Sequence, residues 1–247
     1  MLGFNSRTQG NEIRTRTGAL LEHSGVYEYL NAEDNLEFFG RVYHIGKSAR
    51  KARIRDLLTQ MGLWERRTEP VGKWSCGMKQ RLALARVILH KPPLVFLDEP
   101  TAGLDVIAAK AVRDDLTALV KNEGTTVFLT THNMAEAEKL CAQVAVINAG
   151  SLVTVGKPES LINHSNRPCL KIRGSGFNAN IVAQLRVHPS VEQAEMNNGH
   201  LEITMMKEGH ISDLVNHLVN AGVRVEEVQH LRDSLEDVLI KLMEDEG

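Results

Sequence analysis

Hydrophobic positions along this chain recur with two different periods, and the change of period marks out its elements. Residues 18–21 (GALL) are a short apolar run and predict a strand, and Asn31 to about Ile45 reads as a helix with Asn31 as its N-cap. In the next segment Ile54, Leu57, Leu58 and Met61 fall at i, i+3, i+4 and i+7, one face of an amphipathic helix. The two helices predict a helical subdomain. Between them, Gly46 is expected to stop the first and Ser48 to start the second.

From Ser75 the pattern changes. RLALARVIL is apolar nearly all round, which predicts a buried helix. LVFL (94–97), TVFLTT (126–131) and VAVIN (144–148) are short apolar runs separated by helical segments, the pattern of a parallel sheet covered on both faces. Ligands of such sheets sit beyond the carboxyl ends of the strands, where Asp98, Glu99 and His132 fall. NAG (148–150) reads as a turn into an antiparallel strand, SLVTV, and LINHSNRP (161–168) as a linker. Beyond it the order is strand, helix, a hairpin turning at Asn198 and Gly199, helix, strand and one extra helix. Ser234 and Asp237 give that last helix a capping box. The order predicts a small ferredoxin-like α+β domain over residues 164–247, following an α/β domain over residues 1–163.

Composition narrows the classes. At 247 residues, with 43% hydrophobic and 24% charged residues, the chain is long enough for one large globular domain or two smaller ones, and two is the preferred reading. A net charge of -2 argues against a general nucleic-acid binder, so no nucleic-acid partner is expected. The three cysteines are far apart and suggest neither a disulfide framework nor a zinc site, which fits a reducing cytosol. No apolar stretch approaches the length of a membrane span, and residues 1–17 lack the apolar core of a secretory signal.

The chemistry concentrates in LVFLDEPTAGLD (94–105). An apolar strand ending in Asp-Glu is what a Walker B site requires: Asp98 would hold magnesium through a water and Glu99 would polarise the water attacking a γ-phosphate. Taken alone, the pair reads equally as the start of a helix. In WSCGMKQRLALAR, Ser75 and Gly77 precede or open a helix, where small residues let the backbone approach an anion and the helix dipole favours phosphate; an ordinary serine N-cap is the plainer alternative. His132 closes a strand and could bond a phosphate oxygen or water, or be a strand-end histidine and nothing more.

In this order and spacing, KWSCGMKQRLALAR, LVFLDEP, TAGLD and LTTH resemble the signature motif, Walker B, D-loop and H-loop of the ABC-type ATPase domain, over about residues 1–160. The resemblance implies ATP and magnesium as cofactors and a P-loop NTPase-like fold. It implies γ-phosphate contact across a dimer by Ser75 and Gly77, magnesium binding by Asp98, and general-base catalysis by Glu99. Asp105 would communicate between sites, and His132 would contact the γ-phosphate. Two positions depart from the family pattern. Trp74, Cys76 and Met78 stand where the signature is most often Leu, Gly and Gln. In GALLEHSGVYEYL, similar to the family's Q-loop, Glu22 stands where glutamine is usual; a carboxylate there can ligate magnesium but cannot donate a hydrogen bond when ionised.

The phosphate cradle, G-x-x-x-x-G-K-[ST], does not occur in the sequence. GRVYHIGKS (40–48) comes nearest, but Gly40 is one residue too far and no buried strand precedes it. MLGFNSRTQGNEIRTRTGALLE resembles the stretch that follows the phosphate-loop helix in family members, so the expectation is a chain that begins partway through the domain. Such a chain would lack the strand expected beside LVFL, leaving buried-type sheet edge exposed. Charged hydrogen bonds contribute about 1.5–3 kcal/mol each, so losing a lysine and several N–H donors would weaken ATP binding by at least about a thousandfold.

The ending VEEVQHLRDSLEDVLIKLM resembles that of ATPase subunits in drug, antibiotic and polysaccharide exporters with separate membrane permeases. The resemblance therefore implies a permease partner, a homodimer or heterodimer of ATPase subunits, and a cytoplasmic place at the inner face of the membrane. The alternative is a non-catalytic regulatory or adaptor protein that supplies only its signature motif and dimer surface.

Overall fold

The computed structural model describes residues 1–21, 25–162, 169–197, 199–206, 210–231 and 234–244. Its contacts divide the chain into two compact units, residues 1–132 and 133–247. The boundary expected at 163/164, most of the expected linker, and Glu22 lie outside the described residues.

In the first unit the elements are α1 (Gly10–Arg14), β1 (Thr17–Leu20), α2 (Ala32–Val42), α3 (Lys47–Gln60), α4 (Cys76–Ile88), β2 (Leu94–Asp98), α5 (Val106–Glu123) and β3 (Thr126–Thr130). Asn31 caps α2 as expected, accepting from the Asp34 amide at 2.8 Å. Buried Asn35 fixes the preceding loop by accepting from the Tyr27 amide at 2.7 Å and donating to the Tyr27 carbonyl at 3.0 Å. On α3, Ile54, Leu57 and Leu58 are buried, with Met61 just beyond the helix. Gly46, expected to stop the earlier helix, is instead the N-cap of α3. Helix α2 has already ended at Val42, and His44 takes a left-handed φ of 55°.

Helix α4 forms the centre of this unit. Leu82, Ala83, Leu84 and Ala85 are consecutive and all buried, which a helix achieves only with neighbours on every side; α4 meets α2, α3, α5 and β1. Arg53 ties three of these helices together, bonding both oxygens of Glu123 at 2.7 and 2.9 Å and the Ile88 carbonyl at 2.8 Å. Gly18 is required at the contact with β1, because a Cβ there would lie 2.6 Å from both the Cγ1 and the carbonyl oxygen of Val87.

The sheet order is β1-β2-β3, all parallel. Gly18, Leu20, Val95 and Leu97 form a buried face, but on the other face Phe128 is 58% exposed beside Phe96. The expectation of cover on both faces is therefore corrected for these strands.

His90 follows α4, with its Nε2 3.1 Å from the Thr17 carbonyl and its ring stacked on Tyr43 at 3.8 Å. Burial pushes its pKa down and the Arg53 charge acts in the same direction. A histidine whose folded pKa is depressed contributes stability above its ordinary value of about 6.5, and that contribution is lost as pH falls toward the lowered folded value. The unfolding midpoint of the protein is expected to drop more between about pH 7.5 and about pH 5.5 than that of His90→Gln, as followed by circular dichroism. Equal slopes would show that His90 protonates freely in the fold.

The second unit comprises α6 (Met134–Leu140), β4 (Val144–Asn148), β5 (Ser151–Gly156), α7 (Pro158–Ile162), β6 (Cys169–Ser175), α8 (Ala179–Arg186), β7 (Val191–Asn197), β8 (His200–Met205), α9 (Ile211–Asn220), β9 (Arg224–Leu231) and α10 (Leu235–Glu244). VAVIN is β4, and its antiparallel pairing with β5 is the expected hairpin, turning at Ala149 and Gly150, which both have positive φ. The expectation that VAVIN joins the parallel sheet is corrected, since the described pairings give β1-β2-β3 and β4-β5 as separate sheets.

The sheet β7-β8-β6-β9 has the strand order of the expected ferredoxin-like domain, with Leu170, Ile172, Leu185, Leu201, Ile203 and Leu214 in its core. The hairpin turn falls where expected, with Gly199 at φ 82°; Asn198 lies outside the described residues. Helix α10 carries the expected capping box, the Ser234 amide and hydroxyl both donating to Asp237, and packs on α6 and α7.

Candidate functional site

Strand β2 ends at Asp98, and its register with β3 places Asp98 opposite Thr130. The Thr130 hydroxyl donates to Asp98 Oδ1 at 2.5 Å. Glu99 follows with a left-handed φ of 47°, a conformation uncommon outside glycine and recurrent at functional sites. Its amide donates to the Thr130 carbonyl at 3.1 Å and also faces the Thr130 hydroxyl at 3.3 Å.

This turn carries the Glu99 side chain onto His132. One carboxylate oxygen, Oε1, accepts from the His132 amide at 3.0 Å and meets ring Nδ1 at 2.8 Å. The Glu99 side chain is 29% exposed and that of His132 81% exposed. Among the described residues Glu99 Oε2 has no hydrogen-bond partner, so the carboxylate can face His132 with one oxygen and a water with the other. When Nδ1 donates to Glu99, a neutral ring keeps Nε2 as an acceptor, and only the imidazolium donates from both nitrogens. The expected grouping of Asp98, Glu99 and His132 at the carboxyl ends of β2 and β3 is thus present.

Ser75 and Asp105 occupy helix N-termini. Ser75 is the N-cap of α4 and accepts from the Met78 amide at 3.3 Å, while Asp105 is the N-cap of α5 and accepts from the Ile107 and Ala108 amides at 2.9 Å each. Among the described residues Ser75 makes no hydrogen bond to Asp98, Glu99 or His132.

Gly77 has a packing role that the sequence did not reveal. A Cβ there would lie 2.6 Å from the Cβ of Ala108, so α4 and α5 meet at this point. Gln80 Nε2 donates to the Pro100 carbonyl at 2.8 Å, joining α4 to the loop after the acidic pair. Arg81 bonds Asp115 at 2.8 Å, although burial pushes the Asp115 pKa upward. Sequence reasoning passed over Thr130 and Gln80. The available signal was Thr130 standing two residues before His132 on a strand, hence on the same side.

Magnesium keeps several waters and takes one or two carboxylates together with substrate phosphates, so a complete protein cage is not its usual site. Asp98 fits that description as a carboxylate whose Oδ2 has no hydrogen-bond partner among the described residues beside the bonded Oδ1.

Comparison with known proteins gives the family. Residues 4–102 match the family model described as ABC transporter. The daunorubicin resistance ATP-binding protein DrrA2 of Streptomyces coeruleorubidus is 33% identical over 97% of this chain and 76% of its own length. The chain belongs to the ABC transporter ATP-binding family. The bacitracin transport ATP-binding protein BcrA of Bacillus licheniformis is also 33% identical, over 98% of this chain and 78% of its own. A solved structure described as the ATP-binding subunit of an ABC transporter is similar with a TM-score of 0.59 and 25% identity. That likeness covers 67% of this chain and 69% of the other. The fold is accordingly that of the ABC ATPase domain with an added ferredoxin-like domain, and the activity class is ABC-type ATPase.

Proposed function

We propose that this chain is the ATP-hydrolysing subunit of an ABC-type exporter, with residues 1–163 as the ATPase domain and residues 164–247 as its C-terminal α+β domain. The observation that carries the reading is the Glu99 carboxylate held against His132 beyond the carboxyl ends of two parallel strands. Asp98 would hold magnesium through a water, and the ion would supply charge neutralisation to the phosphates. Glu99 Oε2 accepts a proton from the attacking water, whose oxygen bonds to the γ-phosphorus as the bond to ADP breaks. His132, when protonated so that Nδ1 stays on Glu99, would donate from Nε2 to a γ-phosphate oxygen, and Glu22 would bind magnesium from the Q-loop. Ser75 and Gly77 face the γ-phosphate of a second ATPase subunit, and Asp105 links the two sites. Gly77 serves there through its packing against Ala108, which lets the start of α4 lie close to α5.

The partners are a second ATPase subunit, identical or different, and a separate membrane permease, which places the chain at the inner face of the membrane. Within the described residues no helix is long and apolar enough to cross a membrane, so the membrane part of a transporter falls to another segment or chain. Exposed aromatic residues in and beyond the Q-loop stretch support a docking role: Tyr27 meets Phe38 at 5.3 Å, and Tyr29 is 99% exposed.

The second reading, an adaptor that supplies only its signature motif and dimer surface, is favoured by the lack of G-x-x-x-x-G-K-[ST] in residues 1–247. Phosphate release by the purified chain, alone and mixed with an ABC ATP-binding subunit that carries the loop, separates the two. Magnesium-dependent turnover by the chain, or a gain in the mixture that is lost in Glu99→Gln, is the expected outcome for the ATPase subunit, whereas a gain lost in Ser75→Ala but kept in Glu99→Gln supports the adaptor. Tight association with no gain in turnover supports the adaptor as well.

A further inference from the structure

We infer that Thr130 is a positioning residue for the acidic pair, its single hydroxyl orienting Asp98 and bracing Glu99 together. The inference rests on the proposed roles of those two carboxylates. Thr130 is the last residue of β3, and the parallel register sets it directly opposite Asp98, the last residue of β2. From there its hydroxyl hydrogen reaches Asp98 Oδ1 at 2.5 Å, while its oxygen lies 3.3 Å from the Glu99 amide.

A hydroxyl has one hydrogen and two lone pairs, so donating to one neighbour and accepting from the next uses both capacities at once. A valine of nearly the same shape would fill the strand position and do neither. Three consequences follow from the geometry. Asp98 cannot rotate freely about its terminal torsion, because Oδ1 is anchored to the neighbouring strand. Its other oxygen, Oδ2, has no hydrogen-bond partner among the described residues and is the one available to a metal-bound water. Glu99 is held by both the carbonyl and the hydroxyl of Thr130 in its left-handed conformation, the one that delivers its carboxylate to His132. Thr130 touches neither nucleotide nor metal in this scheme and acts only through the two acidic residues.

The strand itself does not require a hydroxyl here. Thr130 is exposed at the end of β3, and a β-branched valine suits a strand at least as well. Thr130→Val therefore isolates the hydroxyl, and Thr130→Ser restores it with a smaller side chain. The probe is Mn2+ in place of magnesium, titrated with ATP into the protein and its variants with a phosphate loop supplied by fusion, with bound Mn2+ read by electron paramagnetic resonance.

The expected result is an Mn2+ dissociation constant raised about 2- to 10-fold in Thr130→Val, the range of one lost hydrogen bond. Thr130→Ser should return toward the wild-type value and the unfolding midpoints should be unchanged. Asp98→Asn is the reference for loss of the site. If wild type binds Mn2+ no more tightly than Asp98→Asn, the proposed role of Asp98 is overturned and this inference with it. If Asp98→Asn loses binding while Thr130→Val matches wild type, or if serine fails to rescue valine, the positioning role of Thr130 alone is overturned.

Discussion

Once a phosphate loop is supplied, in one polypeptide or by fusion, Glu99→Gln is expected to slow ATP turnover by about a hundredfold or more while ATP stays bound. General-base catalysis contributes about 10²- to 10⁴-fold, and an amide cannot take a proton from water. Glutamine nevertheless keeps the shape of glutamate and one carbonyl oxygen, so the bond accepted from the His132 amide at 3.0 Å can survive. That makes the substitution a removal of basicity with little change of structure. Phosphate release measures the turnover and filter retention of labelled ATP measures the binding. Turnover equal to wild type would take the base role away from Glu99.

Gly77→Ala is expected to destabilise the protein by about 1–3 kcal/mol, the range for overpacking a close contact. The added methyl would fall 2.6 Å from the Cβ of Ala108, and both residues belong to helices whose backbones are tied by the Arg81–Asp115 pair. At about 2–4 °C per kcal/mol for a chain of this size, the unfolding midpoint should fall by roughly 2–12 °C. The control is a second-site change. Ala108→Gly removes the opposing methyl, so Gly77→Ala with Ala108→Gly should be less destabilised than the sum of the two single variants. Strict additivity in thermal unfolding would mean that α4 and α5 do not meet here. A loss of transport activity by Gly77→Ala in that case would point to the phosphate contact instead.

The acidic pair illustrates how far the primary structure reaches. Its placement after an apolar strand was enough to expect a site, and strand β2 ends at Asp98 as that reasoning requires. Ser75 and Asp105 show the limit of the same method. Both were assigned to chemistry through a family resemblance, and both turn out to cap helices in the usual way, accepting backbone amides at 3.3 and 2.9 Å. The two roles do not exclude each other, because an N-cap residue already stands at the positive end of a helix dipole. Glu22 and the 163/164 boundary fall outside the described residues, so their expected roles stand as proposals.

What the sequence by itself determined is what local interactions decide: the helices and their caps at Asn31 and Ser234, the buried character of α4, the ferredoxin-like order of the C-terminal elements, and the strand end that bears Asp98 and Glu99. Periodicity and capping are readable because they depend on residues a few positions apart. Tertiary structure decided three things that depend on residues distant in the chain. VAVIN looked like one more parallel strand, but an apolar run does not name its partner, and among the described pairings it joins only the expected hairpin with β5. Gly77 looked like a residue for anions, and only the approach of α5 made it a packing position. Thr130 offered only its place two residues before His132, because its two bonds arise from the register of β2 with β3, which sequence spacing cannot specify.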